Sequence, residues 1–506
     1  MGKFYLGIEF GSTRIKAVGI DETLVPVQSG DFTWKASNIN GIWTYDLADV
    51  WKGLKTALAS FEGKNVDAMG VSAMMHGYLA FDKDWNLLVP FRTWQNTITG
   101  QASAELTKLF GFNIPQRWSI AHLYQAILNG EEHVKDIAHI TTLAGYVHYS
   151  LTGVNALGIG EASGMFPIDS EILDYDQKML DQFDELIAAK GCGLKIREVL
   201  PKVLLAGQPA GKLTEEGAKQ LDGLLAPGIP FVPCEGDAGT GMTATNSVAP
   251  RTGNVSAGTS IFSMVVLEKP LSKVYEEIDL VTTPTGSPVA MVHCNNCTND
   301  MNAWVGVLKE TVELFGGSVS TGELYTKLYQ KSLEGDTDCG SVTTYNYLAG
   351  EGVTHMDEGR PMVVRNANSA FTLANFLRSQ LYSTMSTLKI GMDILAEEKV
   401  AIDVLNGHGG LFKTPVVGQK YMAAACNAPI TCMETAGEGG PYGMALLASY
   451  LENNSVSLGD FLNEKVFGSA KSVILQPDAA DVDGFNRYLA LYKSGLEVEK
   501  AATKYM

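Results

Sequence analysis

At 506 residues the chain is longer than one hydrophobic core usually holds, so two large domains are expected. A net charge of −18 argues against a nucleic-acid partner, whose phosphates need Lys and Arg. With no basic-then-apolar leader and no apolar run of about 18 residues, a cytoplasmic protein without a membrane partner is expected. The seven cysteines are odd in number and thinly spread, which suits reduced thiols. Cys294-Asn-Asn-Cys297 beside His293 is a lone CxxC with no second pair to complete a zinc site.

In chain order, Phe4–Phe10 reads as a buried strand, Gly11-Ser12-Thr13 as a turn, and Arg14–Ile20 as the returning strand. Tyr45–Phe61 reads as a helix capped by Asp46, with Val50, Leu54, Ala57, Leu58 and Phe61 on one face. Ala68–Met74 is a strand leading to Met75-His76-Gly77, and Leu87–Trp94 leads to Trp94-Gln95-Asn96. Residues 101–152 read as mostly helical, 161–169 as a loop with a short strand, and Thr214–Leu225 as a helix. The stretch GIPFVPCEGDAGTGMTATNS (228–247) reads as strand, glycine turn and helix start, which puts Asp237 at a strand tip. Taken alone, Asp237 there is an N-cap or turn residue.

Gly253–Glu268 repeats the pattern of residues 6–21. Strand, glycine, two hydroxyl residues and strand recur, with Gly258-Thr259-Ser260 matching Gly11-Ser12-Thr13. A boundary is expected between Ser247 and Gly253, dividing the chain into domains 1–249 and 250–506. Ser369–Leu395 reads as a long amphipathic helix. The strand Ala401–Leu405 is followed by the glycine loop 406–410 and a helix from about Thr414. The strand Ile430–Met433 is followed by Ala436-Gly-Glu-Gly-Gly440 and a helix over Tyr442–Leu451. Strand, glycine loop and helix in alternation is α/β architecture, with ligands at the carboxyl ends of strands.

Several of these residues carry chemistry. The two hydroxyl turns can present backbone N–H groups to phosphate oxygens, with Lys16 near the first, although each could equally be a plain hairpin turn. Glu9, ending its strand beside the first turn, can serve Mg²⁺, which favours few carboxylates plus substrate phosphates. His76, Trp94, Gln95 and Asn96 supply an aromatic face and hydrogen-bonding groups suited to a sugar. No GxxxxGK[ST] occurs, and the GxGxxA match at Gly239–Ala244 is a weak dinucleotide signal.

Taken together, GIEFGSTRIKAV, MMHGYLAFD, RTWQN, LTGVNALGIGEASGMFPID, EGDAGTG, SAGTSIF, YNYLAGEGVTHMDEGRP, GHGGLFKTP and GEGGPYGMALLA resemble, in order, the motifs of the FGGY carbohydrate kinases. That group contains xylulokinase, ribulokinase, gluconate kinase and glycerol kinase. The resemblance is strongest to the xylulokinases. It implies an actin-like ATPase fold of two ribonuclease H-like domains with an interdomain active-site cleft, and ATP- and Mg²⁺-dependent phosphorylation of a sugar hydroxyl. Xylulose is the first acceptor implied, with ribulose, gluconate, glycerol or another polyol as alternatives. A non-catalytic actin-like ATPase and a dehydrogenase stand as rival readings.

By the same resemblance Asp237 is the catalytic base. Gly11, Ser12, Thr13, Lys16, Gly258, Thr259 and Ser260 serve the phosphates, and Gly409, Gly410 and Lys413 the adenosine. His76, Trp94, Gln95 and Asn96 line the sugar pocket, and Glu9 serves the metal. A homodimer is an expectation. The chain departs from the family in having Glu9 where Asp is usual, Asn96 where the pentulose kinases carry Asp, and no Arg after Gly350-Glu351.

Overall fold

Residues Phe4–Phe10 (β1) and Arg14–Asp21 (β2) pair antiparallel, and Pro26–Thr33 (β3) adds to β2. The interior of β1 is buried and apolar, as a central strand covered on both faces requires. Leu47–Leu58 (α1) packs on β3 and β2. Its N-cap is Asp46, whose Oδ1 accepts from the Ala48 N–H at 2.8 Å, and its apolar stripe is fully buried. Ala68–Ala73 (β4) then joins β1 in parallel, and Glu235–Gly236 (β5) joins β4 in parallel. The resulting sheet has the order β5-β4-β1-β2-β3.

The computed structural model describes residues 2–433, 439–468 and 472–506. It divides into two units. The first is Met1–Ala249 with Val266–Val289 and Glu438–Ser469. The second is Pro250–Val265, Ala290–Gly437 and Ala470–Met506. The two later segments of the first unit have no counterpart in a single cut between residues 249 and 250.

In the second unit Thr252–Ala257 (β6) and Ile261–Val266 (β7) form an antiparallel hairpin. Val404–His408 (β9) lies parallel to β6, Ile430–Met433 (β10) parallel to β9, and Ser472–Leu475 (β11) antiparallel to β10. With Pro288–Cys294 (β8) beside β7, six strands of this seven-stranded sheet run in the order β8-β7-β6-β9-β10-β11, and Asp279–Thr282 lies outside β8. The sequence repeat therefore marks equivalent hairpins, each followed in its sheet by parallel strands. The long helix runs over Leu373–Glu397, capped by Thr372, and the helix expected from Thr414 starts at Val417.

Some expectations change. The helix expected over Thr214–Leu225 is only Glu215–Gln220, because Asp222 and Gly223 take positive φ (54° and 76°) and break it. Glu161 and Ala162, expected to open a loop, instead close the one-turn helix Ile159–Ala162. The GxGxxA match lies inside the helix Asp237–Ala244 (α2), so its glycines make no phosphate-binding turn. Of the Ala436–Gly440 segment, residues 436–438 lie outside the described residues. The helix after them begins at Gly440 and runs to Tyr450 (α3). No helix among the described residues is long and apolar enough to cross a membrane.

Helix α3 packs on β1, β4 and α2 through glycines. A Cβ at Gly7 would run into the Pro441 carbonyl and the Ala445 amide, and one at Gly443 into the Thr240 carbonyl. These obstacles are backbone and cannot rotate away. Gly443→Ala is therefore expected to cost about 2 kcal/mol as an overpacked contact and to lower the Tm by about 5 °C. Gly241→Ala, in α2 with nothing within 4 Å of the added methyl, is the contrast. It replaces glycine in a helix and should hold or raise the Tm in the same thermal melt.

Candidate active site

Strand β5 ends at Gly236, and Gly236, not Asp237, is the N-cap of α2. Asp237 is the first helical residue. Its Oδ1 reaches sideways to accept the Met75 N–H, just past β4, at 3.1 Å. A carboxylate in the first turn of a helix is favoured by the helix dipole. The side chain is open to solvent, yet the protein mass around it raises its carboxyl above the usual range, and the Met75 N–H opposes that rise. The group is thus held firmly, reachable, and more basic than an ordinary aspartate.

Glu9, at the end of β1, is half-buried, and its pKa is pushed up to about 8. Burial is the larger cause and the negative charge of Asp237 the second. Lys16, its partner across the β1–β2 ladder, works against both. A Cβ on Gly440 would strike the Glu9 carboxyl, so the start of α3 lies directly against it. No group of three or more His, Cys, Asp or Glu side chains suited to a metal occurs among the described residues. Glu9, whose proton affinity the charge of Asp237 raises, does fit Mg²⁺ carried in with substrate phosphates.

The first hydroxyl turn is tied back from three sides. Trp34 Nε1 donates to the Gly11 carbonyl at 2.7 Å, Tyr45 Oη to the Ser12 carbonyl at 2.7 Å, and the Trp34 N–H to the Thr13 carbonyl at 3.1 Å. Trp34 and Tyr45 stack with centroids 4.3 Å apart. Neither was singled out from sequence, where the pairing of distant aromatics leaves no local signal. The second turn repeats the device. Thr298 donates its N–H at 3.1 Å and its Oγ1 at 2.7 Å to the Gly258 carbonyl, and the Cys297 N–H donates to the Thr259 carbonyl at 3.1 Å. Gly409, at φ 98°, is pressed against Ala257, and a Cβ there would meet the Ala257 carbonyl. Gly410 follows it, and the Lys413 side chain is exposed.

His76 adopts φ 71° and is 5% exposed. Its Nδ1 donates to the Gly164 carbonyl at 3.1 Å, and its ring stacks on Trp118. Burial first, and the Arg117 charge second, lower its pKa to about 3. The ring is therefore neutral, with Nε2 as the acceptor. Trp94 is 36% exposed and its Nε1 donates to Ser12 Oγ at 3.2 Å, linking the aromatic face to the first turn. Gln95 Oε1 is buried with no partner among the described residues.

Asn96 does not fit the expected sugar contact. It is 1% exposed, its Oδ1 accepts the Trp43 N–H, and its Nδ2 donates to the Trp43 and Thr93 carbonyls. Its amide is consumed in bracing the chain. Sequence reasoning also passed over Arg117, whose charge reaches both His76 and Asp237 and which pairs with Asp279.

Two further acids lie behind Asp237. Glu235 is 1% exposed. It fills space left by Gly158 and Gly160, and its Oε2 accepts the Glu161 N–H at 3.0 Å. Burial pushes its pKa up to about 8. Glu161 is fully buried, and burial raises its pKa well above the ordinary value, with the Thr142 hydroxyl opposing the rise. An acid whose folded pKa exceeds its unfolded one stabilises below the unfolded value, and that contribution is lost as pH rises through the folded one. For Glu235 the window runs from 4.5 to about 8. Thermal melts at several pH values across that window should show the Tm of Glu235→Gln falling less toward its upper end than that of the wild type. Parallel curves would exclude the shift.

Comparison with known proteins adds the family. Residues 4–243 match the N-terminal domain of the FGGY family of carbohydrate kinases, and residues 253–452 match its C-terminal domain. A xylulose kinase of Haemophilus influenzae is 22% identical over 453 residues, covering 85% of this chain and 87% of its own. A glycerol kinase of Thermococcus kodakarensis is 25% identical over 354 residues, covering 65% of this chain and 66% of its own. The gluconate kinase structure from Lactobacillus acidophilus aligns with a TM-score of 0.81 at 16% identity, covering 98% of each chain.

Proposed function

The chain belongs to the FGGY family of carbohydrate kinases, and on that premise we propose that it phosphorylates a hydroxyl of a ketopentose such as xylulose, with ATP as donor. The observation that carries the reading is Asp237, an accessible carboxylate of raised basicity, fixed at a helix start by the Met75 N–H beside His76.

In the proposed reaction the acceptor hydroxyl oxygen attacks the γ-phosphorus, the bond to the bridging oxygen breaks, and ADP leaves. Asp237 takes the hydroxyl proton. His76 Nε2, as a neutral acceptor, receives a second sugar hydroxyl, and Trp94 offers its ring to the C–H face. Gln95 Oε1 gains a partner when a sugar binds. Gly11, Ser12 and Thr13 and, in the other unit, Gly258, Thr259 and Ser260 offer N–H and hydroxyl donors to the phosphates. Lys16 adds charge beside the first turn. Gly409, Gly410 and Lys413 serve the adenosine. Glu9 would hold Mg²⁺, which neutralises the charge that develops on the phosphates.

Support for a ketopentose comes from the Met75-His76-Gly77 and Trp94-Gln95 segments and from the xylulose kinase relative. The names of other relatives carry glycerol and gluconate, so the acceptor is the finer part of the proposal. Purified protein with ATP and a panel of ketoses, polyols and aldonates is expected to release ADP fastest with xylulose. Faster turnover with another acceptor would redirect the assignment. Asp237→Asn is expected to lose about 10²–10⁴ in kcat with an unchanged Tm. Near-normal turnover in that folded variant would remove Asp237 as the base.

A further inference from the structure

The second hydroxyl turn owes its shape to a single buried carboxylate some ninety residues further along the chain. Glu351 is 1% exposed. Its Oε2 accepts the Asn295 N–H at 2.9 Å, the Asn296 N–H at 3.3 Å and Asn296 Nδ2 at 3.2 Å. Asn296 Oδ1 in turn accepts the Leu348 and Ala349 N–H groups at 2.8 and 3.0 Å, and Asn346 Nδ2 donates to the Cys297 carbonyl at 2.8 Å. The turn Cys294–Thr298 is therefore locked to the segment 346–351. That same turn supplies all three donors that draw the Gly258 and Thr259 carbonyls back.

We propose that Glu351 is a positioning residue for ATP, acting through the turn Cys294–Thr298 on the phosphate loop Gly258–Ser260. The proposal rests on the reading of that loop as a phosphate site. Three N–H bonds converge on its Oε2, and they oppose the burial that raises the Glu351 pKa to about 7. Its truncation leaves the buried Asn296 N–H and Nδ2 and the half-buried Asn295 N–H unmatched at the base of the turn, and the carbonyls that this turn restrains become free to rotate toward the ligand side. Glu351 Oε1 is buried, and the bonds of the carboxyl to the turn are those of Oε2. The Cys294 thiol and the Tyr347 hydroxyl are the titratable groups facing it.

The test separates this role from plain structural support by asking which substrate is affected. In the full-length protein, Glu351→Ala should raise the ATP Kd, measured calorimetrically without acceptor, and the ATP KM about tenfold, leaving the acceptor KM close to that of the wild type. Glu351→Gln, whose amide oxygen accepts the same N–H groups, should recover most of the loss. Thr298→Val, which removes only the hydroxyl donor to Gly258, should shift the ATP KM in the same direction and carries the test if Glu351→Ala does not fold. Equal weakening toward both substrates, or unchanged ATP binding in Glu351→Ala and Thr298→Val, would overturn the positioning role. A wild-type protein that binds no ATP would instead overturn the kinase reading, and this inference with it.

Discussion

The contact on which the rest of the first unit depends is the approach of α3 to β1 and α2 without side chains in the way. At Gly7 and Gly443 one backbone lies against another, and at Gly440 a backbone lies against the Glu9 carboxyl. Such contact fixes three things at once. It sets the height of Glu9 at the end of β1, the tilt of α2 that carries Asp237, and the path of a segment that reaches this unit only after the chain has built most of the other. Side-chain packing between the same elements would allow several tenths of an ångström of adjustment. Backbone packing allows little, because interiors are already near crystal density.

The same economy governs the two hydroxyl turns. A turn that is to bind phosphate must present N–H groups and keep its carbonyls away, since carbonyl oxygens repel an anion. Here each turn has its carbonyls drawn back by donors from elsewhere in its own unit. The first uses an aromatic pair, Trp34 and Tyr45, and the second a polar turn, Cys297-Thr298, braced by Glu351. The hairpin frame is common to both sheets, while the restraint is built from unrelated residues. What the repeat preserves is therefore strand order and turn geometry, and the chemistry that rigidifies each turn is local.

Much of this was legible in the sequence, and the parts that were not share a cause. The Asp46 cap, the two hairpins, the long helix and the prominence of Asp237 are written in local pattern, and the folded chain keeps them. Asp237 as a cap failed because Gly236 takes the extended backbone of the N-cap and Asp237 is already helical, its side chain turned to Met75, which is distant in sequence. Asn96 looked like a pocket amide beside Trp94, yet the strand at Trp43 claims it. Nothing in the local pattern marks Glu235 and Glu161 as buried, and Gly158 and Gly160 open the space that Glu235 fills. Each miss is a long-range contact deciding between local options of similar energy.

Charge is the remaining constraint, because a chain of net charge −18 has to receive a polyanion. Part of the answer is to use dipoles. Backbone N–H groups and hydroxyls attract phosphate without adding the strongly hydrated charges that Lys would bring. The rest lies in the acids around Asp237. Burial favours the protonated forms of Glu161 and Glu235, so they add volume and polarity behind the base without adding negative charge in front of it. The negative charge of Asp237 raises the proton affinity of Glu9, so Glu9 sheds its proton reluctantly while Asp237 is ionised. Lys16 acts toward the ionised Glu9 from the neighbouring strand. Burial raises the proton affinity of Glu9, Asp237, Glu161 and Glu235 alike, so this corner of an acidic chain carries less negative charge than its four carboxyls would have in water.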